Sequence, residues 1–114
     1  MNIETIVKMS KMSKAEKSLL IFFEARATDY HGSVTGVSMN AEDFIIAEKW
    51  NEEGFVKFGR IATEHVNAKR GGNWCKLSDE AWEIAHVLRK ERANRCWENK
   101  VWTTTEEKKE LQLA

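Results

Sequence analysis

Apolar residues recur at helical spacing in two long stretches, with a stretch of alternating pattern between them. This predicts a mixed chain of helices and a small sheet. In the first helix, Leu19, Phe22, Phe23, Ala27 and Tyr30 define one buried face. Ser13 with Glu16 makes a capping-box pattern at its start, in which each side chain satisfies a free backbone donor of the other residue. The turn signal His31, Gly32 and Ser33 ends it near Tyr30. A short β-type segment follows at 34–38. The second helix runs over roughly 40–53, with Asn40 or Ser38 as its cap and Gly54 as its C-terminal stop. At 100° per residue, Phe44 and Ile45 point one way and Ile46 and Trp50 nearly opposite. A helix apolar on two sides is either sandwiched or presents one side to a partner.

Residues 55–66 read as a strand. Val56 and Phe58 share one face and Ile61 takes the other, which places a β-bulge at Gly59. A loop at 67–73, centred on Gly71 and Gly72, leads to a return strand from Trp74 to Leu77. Ser78 caps a last long helix that runs to about Trp97, with Asp79 and Glu80 in its first turn. Ala81, Ile84, Ala85 and Leu88 form its inner face, and Arg89, Lys90, Arg92 and Arg95 suit its C-terminal end. At the N-terminus, residues 1–12 form an arm. Ile3, Ile6 and Val7 either make one docked helical turn or belong to a loose segment. At the other end, Thr104 and Glu107 give a capping box for a short helix reaching Leu113. That segment is too short to be stable alone. The expected division is arm 1–12, domain 13–98, and a C-terminal tail or helix over 99–114.

Composition adds bounds. The chain has 114 residues, 42% hydrophobic and 32% charged, which suits one globular domain. No apolar run is long enough to span a bilayer and no signal-peptide pattern stands at the start, so the expected location is cytoplasmic. Cys75 and Cys96 then read as reduced thiols. Net charge is zero, yet its distribution is uneven. Residues 41–54 carry a local charge of −4: Glu42, Asp43, Glu48, Glu52 and Glu53 against Lys49. Residues 55–77 carry +4: Lys57, Arg60, Lys69, Arg70 and Lys76 against Glu64. An acidic helix therefore precedes a basic hairpin.

Catalytic and metal chemistry find no pattern here. His65, Cys75, His86 and Cys96 are the metal-ligand types, but His86 and Cys96 lie roughly 15 Å apart along one helix. No CxxC or HxxxH spacing is present. Neither a phosphate-binding glycine loop nor a nucleophile elbow occurs. The expectation is no enzyme, no metal and no cofactor.

The order helix, short strand, helix, strand, glycine-containing loop, strand, helix resembles a winged-helix domain with a degenerate helix-turn-helix. Three segments carry the likeness. Trp50 to Val56 resembles the family's helix end, glycine and entry into the wing. Lys69, Arg70, Gly71 and Gly72 stand at the wing tip. Trp74 to Ala81 resembles the exit from strand into long helix. The likeness covers about two-thirds of the chain. It implies an α+β fold with three main helices, a small antiparallel hairpin as wing and a C-terminal helical extension. It also implies a small bacterial or phage regulator that holds double-stranded DNA through Lys57, Arg60, Lys69, Arg70 and Lys76. The C-terminal helices would pair two subunits on a two-fold site. The other reading is a protein-interaction module. Its partner surface would be the acidic helix, through Glu42, Asp43, Ile46, Lys49, Trp50 and Glu53.

Overall fold

The computed structural model describes residues 1–62 and 72–98. The chain is α+β, and its described residues form four helices and a three-stranded antiparallel sheet. Helix α1 spans Ile3–Lys11 and α2 Lys14–Asp29. Strand β1, Ser33–Val34, passes through a 3-10 turn at Gly36–Ser38 into α3, Ala41–Glu53. Strands β2, Val56–Arg60, and β3, Asn73–Leu77, form the hairpin, and α4 runs over Asp79–Glu98. The predicted tail helix after residue 98 lies outside the described residues. Among the described residues, no helix is long and apolar enough to cross a membrane.

Local chemistry explains the helix boundaries. Ser13 and Glu16 close a reciprocal capping box at α2, and Asn40 and Asp43 do the same at α3. Gly54 ends α3 in the left-handed region, at φ 75°, where a side chain would be strained. The Ser78 hydroxyl accepts from the Ala81 amide at 3.2 Å and caps α4.

The sheet order is β1-β3-β2. Its inner face, Val34, Val56, Cys75 and Leu77, packs on Leu19, Leu20 and Phe23 of α2, Ala47 and Trp50 of α3, and Ala81, Ile84, Ala85 and Leu88 of α4. Phe23 is the hub of the aromatic core, with ring centroids 5.7 Å from Phe58 and 6.3 Å from Trp50. Arg89 of α4 pairs with the buried carboxylate of Glu24 on α2. The carboxylate is buried and the arginine half-exposed, so Glu24 depends on Arg89 for its counter-charge.

Five expectations are corrected. The β-type segment predicted over 34–38 is a strand only at Ser33–Val34, followed by the 3-10 turn. The strand predicted over 55–66 ends at Arg60, and its last residues lie outside the described region. There is no bulge at Gly59, because the register runs unbroken through Phe58↔Cys75, Gly59↔Trp74 and Arg60↔Asn73. Ile61 differs in parity from Val56 and Phe58, so plain alternation puts it on the other face without a bulge. The N-terminal arm is a nine-residue helix, and it docks through a different stripe from the one predicted. Ile3, Ile6 and Val7 are exposed, whereas Thr5 is buried and Met9 and Met12 pack against the core. Thr5 Oγ1 donates to Glu80 Oε2 at 3.1 Å, Lys8 Nζ lies 3.1 Å from Glu80 Oε1, and the same ammonium sits over the Phe55 ring. Polar anchors therefore orient α1, and a short methionine edge supplies its apolar contact. Just past α2, the C-cap residue Tyr30 is also exposed, where it stacks beneath the Arg26 guanidinium.

Candidate nucleic-acid interface

Alternation along a strand sends successive side chains to opposite sides of the sheet. Val56, Phe58, Cys75 and Leu77 go inward, so Lys57, Gly59, Trp74 and Lys76 go outward. The register sets Lys57 directly opposite Lys76. Residues so opposed hold their Cβ atoms roughly 5 Å apart, and like charges there are destabilising. Both lysines are exposed, and among the described residues neither has an ion-pair partner. Ser33, opposite Trp74 on β1, completes this face. None of these five outward residues is a carboxylate.

Trp74 is the side chain on this face that sequence reasoning did not single out. Its indole lies across Gly59, and a Cβ at that position would stand 2.8–2.9 Å from three ring atoms. A side chain there would have to displace the ring, which occupies the space it needs. Trp74 stays 39% exposed, so its ring lies across Gly59 and still meets solvent. Alternation of Trp74 with Lys76 was a signal available in the sequence. The glycine beneath the ring was not, since it depends on register.

The other predicted wing residues divide. Arg60 is exposed at the end of β2 but shares the parity of Phe58, so it leaves the sheet on the side opposite Lys57. Lys69 and Arg70, at the predicted tip, lie outside the described residues. The structure thus brings together Lys57 and Lys76 and does not group Arg60 with them.

The acidic helix differs from its predicted surface. Trp50 is 2% exposed and Ile46 packs against the core, so neither can anchor an external partner. Asp43 Oδ2 accepts from the Asn40 amide at 3.1 Å as part of the cap. Glu42, Lys49 and Glu53 remain exposed. Lys49 and Glu53 border a cleft of about 220 Å³ with Lys8, Lys11 and Glu16. The outward apolar residue of α3 is Ile45, 67% exposed. Asn51, two residues before the end of α3, accepts from the Phe58 amide at 3.0 Å and so occupies a donor on the free edge of β2.

Among the described residues, no three side chains of metal-ligand type converge. Cys75 is buried, with its Sγ 3.7 Å from the Phe23 carbonyl, while Cys96 is exposed, and both are free. Burial pushes the Cys75 thiol up to about 11, against the opposing pull of the Arg26 charge. His86 is exposed beside Trp82, and His65 lies outside the described residues. No known protein family, curated protein or solved structure matches this chain.

Proposed function

We propose that the chain is a winged-helix-like DNA-binding protein that holds phosphates with the outer face of its β2–β3 hairpin. The observation that carries this reading is the opposition of Lys57 and Lys76 on an exposed face without a carboxylate. A bound phosphate relieves the repulsion between two such ammonium groups and releases counterions from the nucleic acid. The element order supports the same reading: helix, short strand, helix, hairpin, long helix. Helix α3, in the place of a recognition helix, carries Glu42, Glu48, Glu52 and Glu53 exposed. Carboxylates repel a phosphate backbone, so DNA contact falls to the hairpin and α3 stays clear of the groove.

Fluorescence anisotropy with a labelled duplex at low salt tests this. Binding should be lost in Lys57→Glu/Lys76→Glu and kept in Lys90→Glu, which lies roughly 18 Å along α4 from Ser78. Equal loss in both variants, or no binding by the unaltered protein, contradicts the proposal.

Exposure of Ile45 among Glu42, Glu48 and Lys49 favours a second reading, in which α3 docks on a basic protein surface. That reading predicts that Ile45→Asp abolishes partner binding and leaves DNA affinity within about twofold, since one exposed charge is largely screened.

A further inference from the structure

We infer that the indole of Trp74 is a stacking platform for an unpaired DNA base, so that the hairpin face takes a strand with at least one base out of the duplex. The inference rests on the hairpin being the DNA-binding face, and it specifies what that face selects.

An exposed tryptophan on a strand is ordinarily accounted for by what it covers, and Trp74 does cover Gly59. Cover uses one side of the indole. The residue is still 39% exposed, so part of the ring is left in solvent. Its neighbours on the face are small or cationic: Gly59 beneath, Ser33 to one side, Lys76 two residues along the same strand and Lys57 on the diagonal. Two residues along a strand is about 7 Å, which is within the span of one nucleotide. A base resting on the open indole would therefore leave its flanking phosphates within reach of the two lysines.

Chemistry then favours nucleic acid over other occupants. A purely apolar partner would have to bury two ammonium groups without a counter-charge, which is strongly unfavourable. An acidic peptide would satisfy the lysines but has no required use for a flat ring. A nucleotide supplies both an anion and a planar π face, the pairing on which single-strand binding surfaces are built. Continuous duplex presents its bases edge-on within the grooves, so the indole face would go unused there. Selection for an unpaired base follows from the ring being flat and open while the lysines stand beside it.

The test compares three labelled oligonucleotides of equal length in the full chain: oligothymidylate, the same strand with abasic sites, and a blunt duplex. The base-bearing strand should bind roughly five- to a hundredfold tighter than the abasic strand, the range that stacking one base provides. Trp74→Leu keeps an apolar cover on Gly59 and should erase that difference, and Trp74→Phe should retain most of it. Equal affinity of the unaltered protein for the base-bearing and abasic strands overturns the inference and leaves the hairpin reading intact. Persistence of the preference in Trp74→Leu overturns it as well. Binding of none of the three at low salt removes the hairpin reading itself. The comparison of strands needs no variant, so it decides the matter even if Trp74→Leu does not fold.

Discussion

Gly59 and Trp74 occupy one cross-strand position, and each limits what the other can become. A side chain at Gly59 must displace the indole, because its Cβ would approach ring atoms to 2.8 Å. Gly59→Val should therefore destabilise the fold by roughly 1–3 kcal/mol, as overpacking does, and expose the ring further. Urea denaturation measures the first effect and acrylamide quenching the second; unchanged stability would mean that the indole does not rest on the strand. Cys75 makes a separate residue-scale prediction. With its thiol raised to about 11 by burial, it stays protonated in the folded protein at pH 8 and should resist alkylation, while exposed Cys96 reacts. The unfolded thiol loses its proton from about pH 9 upward and the folded one only near 11. Fewer protons are bound in the unfolded state across that window, so this group's contribution to stability is complete below pH 9 and declines between 9 and 11. Alkylation of both thiols at equal rates at pH 8 would contradict the burial.

Among the elements, those that announce themselves locally were legible in the sequence. The capping box at Ser13, the stop at Gly54 and the cap at Ser78 each act through hydrogen bonds within four residues, and the structure forms all three. Removing one should cost a typical cap energy: Ser13→Ala is expected to lower stability by about 1 kcal/mol. What depends on distant partners was less legible. Trp50 and Phe44 stand on different sides of α3, and pattern alone left open whether one side meets a partner. The structure sandwiches both, Trp50 against Phe23 and Phe55, and Phe44 against Phe58. Helix α1 shows the same limit. Its most apolar stripe, Ile3, Ile6 and Val7, faces solvent, because Thr5 and Lys8 find Glu80 some seventy residues away in the chain. Thr5→Val should loosen α1 without unfolding the core, seen as faster amide exchange confined to residues 3–11. Faster exchange throughout the core would instead make α1 part of the cooperative unit.

At the scale of the whole molecule, charge separation organises the surface. The neutral total conceals an acidic α3 and a basic outer sheet face. The sequence showed which segments were basic, but not which lysines stand together. That required the register, which places Lys57 against Lys76 and sends Arg60 to the other side. The central claim is that these two lysines neutralise DNA phosphates. Its most direct test is the salt dependence of duplex affinity in the unaltered protein and in Lys57→Ala/Lys76→Ala. Each phosphate contact contributes about 0.9 to the slope of log affinity against log salt, so the double variant should show a slope shallower by about 1.8. An identical slope in the two proteins would show that neither lysine touches a phosphate and would contradict the account.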